Sequence, residues 1–167
     1  YFIALGYTLL GSLTAVKVLQ CVVGAFVAPA VASVGARTFG RRAGLLAGGA
    51  GVFYPELIWF AAHFWSEPVF LVLLWWAFER LLAADARGST RTAVLAGLLW
   101  GLSCLARETS LYFLPLAALW LGWRRRRAPA AAFFAAALLT VAPWTYRNWV
   151  HYRELVPVTT AGGLNLW

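Results

Sequence analysis

The stretch FYPELIWFAAHFWSEP, Phe53–Pro68, places ionisable side chains inside one of the most apolar regions of the chain. Glu56, His63 and Glu67 follow one another at offsets of i, i+7 and i+11. On a continuous helix these offsets return to nearly the same direction, so the three side chains would form one stripe. Ionisable groups inside a membrane segment are costly and usually serve a pathway or a site.

The prolines of this stretch support a second interpretation. Pro55 and Pro68 both interrupt a helix. The sequence Ser66-Glu67-Pro68 is also a plain helix start, with Ser66 as the N-cap and Glu67 favoured by the helix dipole. On that interpretation Glu67 is only a first-turn carboxylate, and the sequence leaves both interpretations open.

Composition is typical of an integral membrane protein. The chain is 62% hydrophobic and only 12% charged, and short arginine-rich loops separate its apolar runs. The net charge of +8 would suit nucleic acid, but the arginines cluster in such loops, which indicates membrane topology, so no nucleic-acid partner is expected. Because the chain has no Met and begins within an apolar run at Tyr1, we expect it to be a fragment of a longer protein.

The apolar runs predict an all-α fold, a polytopic transmembrane helical bundle that forms a single domain over residues 1–167. Tyr1–Ser12 is too short to cross and is predicted to be an amphipathic or re-entrant piece. Gly/Ala-rich sequence opens the second span and allows close helix packing. Six spans and an outer segment are predicted, at 13–36, 43–62, 67–84, 92–106, 109–123, 128–144 and 145–167.

Two of these spans are short. Thr92–Ala106 and Thr109–Trp123 would each reach only about 22 Å as helices, against a hydrocarbon core of about 30 Å. Either they continue through Arg107-Glu108 as one helix, or they form a hairpin beside a thinned wall. The hairpin puts ten of the fourteen basic residues on one side, and the positive-inside rule therefore favours it. We expect a multi-pass protein of the plasma (inner) membrane with both chain ends outside.

This topology gathers most polar residues at the extracytoplasmic face. The inner side keeps arginines with Glu79 and Asp85, which offer little from which to build a site. Outer arginines suit a phosphate because the planar guanidinium donates two hydrogen bonds to its oxygens, and a nearby carboxylate could orient a sugar hydroxyl. The alternatives are a hairpin corner among the headgroups and an interfacial anchor. The candidate binding residues are Glu56, His63, Glu67, Arg107, Arg147 and Asn148.

Other features carry weaker signals. Arg124–Arg127 is interpreted as a topology signal, and Cys21 and Cys104 as inert packing residues. Glu56 and His63 could in principle ligate a divalent metal, but a two-ligand pattern is a weak signal, so no metal site is assigned and no other cofactor is expected.

The chain resembles the GT-C glycosyltransferases, in particular bacterial relatives of protein O-mannosyltransferases and lipid A aminoarabinose transferases. The resemblance runs across nearly the whole chain. Its motifs are ARTFGRRAG (36–44), YPELIWF (54–60), SEPVF (66–70), GLLWGLSCLARETSL (97–111), APWTYRN (142–148) and VPVTTAGGLNLW (156–167).

The resemblance implies transfer of a sugar from a polyprenyl-phosphate donor to an acceptor protein, lipid or glycan at the outer membrane surface. Glu67, Arg107 and Arg147-Asn148 occupy family motif positions, and the arginines would stabilise the departing phosphate. The family's catalytic Asp usually lies in the first outer loop, upstream of Tyr1, so the fragment alone is expected to be inactive. Where the family often has proline after the motif arginine, this chain has Glu108.

Two other classes of function remain open. A transporter or lipid flippase would also place charge within the membrane, but it would be expected to show discontinuous helices in inverted repeats. A non-catalytic membrane subunit is the third possibility, since the catalytic Asp is absent from this sequence.

Overall fold

The structure, a computed structural model, describes residues 2–154 and 156–159. Within these residues every regular element is an α-helix, which confirms the all-α prediction. The part of the VPVTTAGGLNLW motif at 160–167 lies outside the described residues. The nine helices of the described part are α1 Phe2–Leu10, α2 Leu13–Ala25, α3 Val27–Phe39, α4 Arg41–Val52, α5 Pro55–Ala62, α6 Glu67–Arg87, α7 Thr90–Ala106, α8 Thr109–Trp123 and α9 Arg127–Tyr152.

The chain divides into two compact units, residues 1–79 (unit 1) and residues 80–167 (unit 2). Helix α6 contributes its first part to unit 1 and its last two turns to unit 2. The two units are described separately below.

Unit 1 begins with the short α1, which packs on α2, and continues through α2 and α3. A single residue, Phe26, separates α2 from α3, and the two together form a 27-residue apolar stretch. Pro29 explains the irregularity, because it has no N–H to donate to the carbonyl one turn earlier. The Trp76 indole donates to the Phe26 carbonyl at 3.2 Å and so fixes this break against α6.

Helices α3 and α4 pack antiparallel through what we call the glycine interface of unit 1, formed by Gly35, Gly44 and Gly48. A Cβ atom added at Gly44 would lie 2.5 Å from the Ala32 carbonyl oxygen, and one at Gly48 would lie 2.6 Å from the Ala32 Cβ. Gly40 makes the connection possible, since its φ of +93° is a conformation that L side chains rarely adopt. The predicted close packing of this Gly/Ala-rich run is confirmed.

Unit 1 also contains a buried ion pair that joins α3 to α6. The Arg37 guanidinium approaches Glu79 Oε1 to 2.7 Å through Nε and 2.6 Å through Nη2. Glu79 is 1% exposed and Arg37 is 33% exposed, so the arginine extends from water to a carboxylate within the protein. The Ser33 hydroxyl also donates to the same oxygen, at 3.4 Å.

In unit 2 the chain turns back after α7, so the predicted hairpin is confirmed. Trp100 of α7 donates its indole N–H to the Ser110 carbonyl of α8 at 3.0 Å. Helix α8 covers Thr109–Trp123, the predicted bounds, and α7 ends at the predicted Ala106.

Helices α7 and α9 run parallel and form the glycine interface of unit 2, made by Gly97 and Gly101. A Cβ at Gly97 would overlap the Phe133 carbonyl oxygen, whereas one at Gly101 would lie 2.7 Å from the Ala137 carbonyl oxygen. Trp100 packs edge-on against Phe133, with ring centroids 5.5 Å apart. Backbones this close require small residues, as in membrane helix pairs generally.

Fewer helices are long and apolar enough to cross a membrane than the six predicted spans. By length and composition, Leu13–Phe39 and Arg127–Tyr152 are each apolar enough to cross a bilayer, and the pair Arg41–Val52 and Pro55–Ala62, bent by 47°, becomes a third if it is one span. Helices α7 and α8 are apolar but shorter. Helix α6 is 21 residues long but carries Glu79-Arg80 in its interior.

The last helix extends beyond the predicted last span. Helix α9 does not stop at Trp144 but continues to Tyr152, so the first eight residues of the predicted outer segment are helical. Pro143 lies inside this helix, which apolar surroundings tolerate when neighbouring groups satisfy the freed carbonyl. Arg153 ends the helix in the left-handed conformation, with its N–H bonded to the Trp149 carbonyl at 2.9 Å.

Candidate functional site

The structure separates the three ionisable residues of Phe53–Pro68. Helix α5 ends at Ala62, His63 is extended with φ −113° and ψ 156°, and α6 begins at Glu67. Pro68 explains the break, because its ring would clash with the carbonyl one turn earlier in a continuous helix. The predicted single stripe of Glu56, His63 and Glu67 is therefore wrong, and the alternative helix start at Glu67 is confirmed.

Glu56 and His63 are held by separate partners. Glu56 is exposed in the first turn of α5 and accepts a hydrogen bond from the Tyr54 hydroxyl at 3.2 Å. His63 stacks on Trp59, with ring centroids 4.2 Å apart, and its Nδ1 lies 2.9 Å from the Trp59 carbonyl oxygen. Both contacts are local to α5.

Gln20 makes a tertiary contact beside this stretch that the sequence pattern did not predict. It is fully buried in α2, and its Nε2 donates to the carbonyls of Phe60 and His63 at the end of α5. The thiol of Cys21 donates to the Ala61 carbonyl at 3.3 Å. Carbonyls at a helix end have no partner within the helix, so α2 supplies a tertiary cap for α5. The available signal was a polar side chain in the centre of an apolar run.

Glu67 is the first residue of α6 and is partly buried. A carboxylate in the first turn is favoured by the helix dipole. Its position thus fits the plain helix-start interpretation.

Arg107 stands at the hairpin corner of unit 2, as predicted. It is the extended C-cap of α7, exposed, with its backbone N–H bonded to the Ser103 carbonyl at 2.9 Å. The corner itself is held by a buried cluster in which Ser103 donates to the Ser110 hydroxyl at 3.1 Å and Ser110 donates to the Arg107 carbonyl at 3.2 Å. The corner fixes the backbone of Arg107 while its side chain stays exposed.

Arg147 and Asn148 adjoin near the end of α9. The Arg147 guanidinium lies 4.8 Å from the centre of the Trp144 ring, in a cation–π contact, and its Nη1 donates to Asn148 Oδ1 at 3.4 Å. Asn148 is 3% exposed, and its Nδ2 donates to the carbonyls of Val156 and Val158 at 3.2 Å each. Asn148 thus fastens the segment after α9 and supports Arg147 from the side.

Two more α9 side chains fasten the same segment. The Trp144 indole donates to the Val158 carbonyl at 2.9 Å, and the Thr145 hydroxyl donates to the Pro157 carbonyl at 2.8 Å. The motif residues Trp144, Thr145 and Asn148 therefore have a shared structural role that sequence alone did not reveal.

The parallel packing of α7 and α9 brings Arg107 and Arg147 to the same end of unit 2. Gly101 lies opposite Thr140, since a Cβ on Gly101 would be 2.6 Å from the Thr140 Cβ. From that point Arg107 is about 9 Å further along α7, and Arg147 about 10 Å further along α9, at 1.5 Å per residue. The two guanidinium-bearing residues therefore stand at nearly the same level.

An apolar groove of about 530 Å³ opens at this end of unit 2. Helix α8 contributes Leu111, α9 contributes one face, and Pro157 closes the side. The α9 face consists of Leu138, Val141, Ala142, Thr145, Tyr146 and Trp149. The groove walls are hydrocarbon. Arg107 and Arg147 lie at the same end of unit 2 but are not among the residues that line the groove.

The described part of the chain has no set of side chains that could ligate a metal ion. Residues 2–154 and 156–159 contain no group of three or more His, Cys, Asp and Glu side chains that could share an ion.

Comparison with known proteins returned no match to a family, to a characterised relative or to a solved structure. The case for function therefore rests on the residues and geometry described above.

Proposed function

We propose that this protein is an integral membrane glycosyltransferase of the GT-C type, moving a sugar from a polyprenyl-phosphate donor to an acceptor at the extracytoplasmic face of the plasma membrane. The single observation that supports this best is the placement of Arg107 and Arg147 at one level, at the end of unit 2 where an apolar groove also opens. Six membrane segments belong to this proposal, with the short α7 and α8 among them.

A polyprenyl phosphate has two chemically different parts, and the groove end of unit 2 offers a surface to each. The isoprenoid chain is apolar and would lie along Leu111 and the α9 face. The phosphate would accept charge-assisted hydrogen bonds from the two guanidinium groups. Stacking on Trp144 restrains Arg147, so less side-chain entropy is lost when it binds an anion.

The lengths of α7 and α8 favour lateral entry of such a donor. At 17 and 15 residues they reach only about 26 Å and 22 Å, less than the hydrocarbon thickness of about 30 Å. A lipid-linked donor could then reach the outer face of the groove from the bilayer without leaving it.

The binding test uses the purified protein in detergent micelles and polyprenyl phosphate as the probe. Arg107→Lys and Arg147→Lys keep the charge but lose the planar fork, so each should weaken binding by about ten- to a hundred-fold, the equivalent of roughly 1.5–3 kcal/mol. Arg153→Lys is the matched control, because it is an exposed arginine just after α9. Equal binding by all three lysine variants would make Arg107 and Arg147 interfacial anchors instead.

A second test addresses Glu67 in membranes that carry sugar-transfer activity. As a helix-start carboxylate alone, Glu67→Gln should lower stability by about 1 kcal/mol or less and leave transfer nearly intact. If Glu67 orients a sugar hydroxyl, transfer should fall while the protein stays folded. Normal transfer by the glutamine variant would remove Glu67 from the proposed site.

One observation favours a lipid flippase as the second candidate. Helices α4 and α5 are bent by 47° at a break, and a further break follows at His63. Discontinuous helices of this kind occur at transport sites. Movement of a fluorescent polyprenyl phosphate across liposomes without any sugar transfer would support the flippase over the transferase.

A further inference from the structure

The opposite end of unit 2 carries a second groove, larger than the first and independent of the proposed transferase site. It measures about 980 Å³ and runs between α8 and the start of α9. Its hydrocarbon wall includes Pro115, Leu119 and Phe134, and Trp120 and Trp123 also line it. Along α8 it extends from Pro115 to Trp123, about 9 to 21 Å from Thr109 at the hairpin corner, at 1.5 Å per residue.

The polar end of this groove is strongly basic. Arg127 lines the groove directly, as the last member of the run Arg124–Arg127. Asp85 pairs with Arg124 at 3.2 Å and lies 3.9 Å from Arg126, so one carboxylate offsets one of four positive charges. Within residues 2–154 and 156–159, Arg125 and Arg127 have no ion-pair partner.

The position of Arg127 makes an anion there favourable. Arg127 is the first residue of α9, where the helix dipole is positive and disfavours a cation. The N-cap residue Arg126 gives the helix no side-chain cap. An anion near this turn would therefore be attracted by the guanidinium groups and by the helix end at once.

The exposed Trp123 indicates that the basic end of this groove lies at a membrane interface. Trp123 is 89% exposed and immediately precedes the arginines. Tryptophan favours the headgroup region, where its ring is partly in hydrocarbon and its N–H is in a polar layer. Below it the groove continues with apolar side chains only, so the charge lies at one end and hydrocarbon along the rest.

We infer that this groove binds one anionic diacyl phospholipid, with an acyl chain against α8 and α9 and the headgroup phosphate at Arg125 and Arg127. Charge complementarity selects the occupant. An apolar groove that Arg127 lines, beside a run of four arginines with one carboxylate partner, matches a molecule with a hydrocarbon tail and an anionic head. A basic pocket between membrane helices is a known way to hold such headgroups.

The experiment counts bound lipid on the whole chain by native mass spectrometry, with phosphatidylglycerol as the probe and phosphatidylcholine as its neutral counterpart. Arg125→Gln/Arg127→Gln should weaken phosphatidylglycerol binding by about 30-fold, since each arginine near an anionic surface is worth about fivefold. Arg87→Gln/Arg91→Gln removes the same charge from exposed arginines of the other basic loop of unit 2 and should change binding much less.

A second pair of variants tests the groove itself. Ala131 is exposed and lines the groove, so Ala131→Phe should fill it and prevent binding. Ala135 is also exposed, one turn further along α9 and outside the groove lining, and Ala135→Phe is the matched control. If Ala131→Phe fails to fold, the arginine pair alone decides the question.

Each result has a fixed meaning. Loss of phosphatidylglycerol in both site variants, with retention in both controls, supports the inference. Equal binding of phosphatidylcholine, equal loss in the Arg87/Arg91 control, or full displacement by the free headgroup glycerophosphoglycerol would overturn it. None of these readouts involves sugar transfer or polyprenyl phosphate, so failure here is distinguishable from failure of the proposed function.

Discussion

Unit 1 and unit 2 share two structural features but form them with different residues. Each contains a helix pair held by glycines, α3 with α4 in unit 1 and α7 with α9 in unit 2. Each pair is also tied to a third helix by a polar contact. In unit 1 that tie is the Arg37–Glu79 ion pair, and in unit 2 it is the neutral hydrogen bond from Trp100 to Ser110.

The two glycine interfaces also differ in connection. Helices α3 and α4 are antiparallel neighbours joined at Gly40, so their contacts are local in sequence. Helices α7 and α9 are parallel, and the chain must pass through α8 before they can meet. The unit 2 interface therefore sets the level of Arg107 against Arg147, which belong to helices that are not neighbours in sequence.

Breaking the Arg37–Glu79 ion pair of unit 1 should give the largest loss of unfolding free energy. Arg37→Gln removes the guanidinium from a carboxylate that is 1% exposed, and breaking a buried pair in this way costs roughly 3–5 kcal/mol. Glu79→Gln should cost less, because Arg37 is 33% exposed and can be hydrated. Unfolding free energies from SDS titration in mixed micelles provide the measurement. Losses below 1 kcal/mol in both variants would show that the pair contributes little.

The glycine interfaces should give the next effect and separate the two units. A methyl group at Gly97 would overlap the Phe133 carbonyl oxygen, and one at Gly44 would lie 2.5 Å from the Ala32 carbonyl oxygen. Each alanine variant should lose about 1–3 kcal/mol through overpacking. Only Gly97→Ala should also weaken polyprenyl-phosphate binding, because only that interface aligns the two arginines.

Gly49→Ala is the control for both alanine variants, since a Cβ there would have no neighbour within 4 Å. It should be neutral or gain up to about 1 kcal/mol from helix propensity. If Gly44→Ala reduced polyprenyl-phosphate binding as much as Gly97→Ala, the division of roles between the two interfaces would be wrong.

Sequence predicted the helix ends where local chemistry determines them. Arg107-Glu108 interrupts an apolar run and Pro68 excludes a continuous helix, and the structure has its breaks at both places. Pro143, by contrast, lies inside α9, which runs through it. A single proline decides a helix end only when the surroundings do not satisfy the freed carbonyl, and those surroundings are tertiary.

The candidate site was predictable in its residues but not in their partners. Arg107 and Arg147 were identified from their positions after apolar spans, and their common level follows from the register of Gly101 against Thr140, which periodicity does not contain. The contacts of Gln20 with Phe60 and of Glu79 with Arg37 were not predicted, because the partners lie 40 and 42 residues apart in sequence. A pattern along one helix shows which residues are polar, whereas folding decides what they touch.

Removing a hydroxyl from the neutral hydrogen-bond cluster between α7 and α8 should give the smallest loss of unfolding free energy. Ser103 is fully buried, and its hydroxyl oxygen lies 2.6 Å from the Trp100 carbonyl oxygen and 3.1 Å from the Ser110 hydroxyl oxygen. Hydrogen bonds between membrane helices contribute about 0.6 kcal/mol on average, so Ser103→Ala should lose about that much stability.

A double-mutant cycle isolates the contact between the two hydroxyls. Ser110→Ala removes the acceptor for Ser103 and also the donor to the Arg107 carbonyl, so it should cost more than Ser103→Ala alone. If the hydroxyls act together, Ser103→Ala/Ser110→Ala should lose less stability than the two single losses added, because both single variants already break the shared bond. Strict additivity in the SDS titration would mean that the serines act separately. The rigidity of the corner below Arg107 would then come from the Trp100 indole and the glycine interface instead.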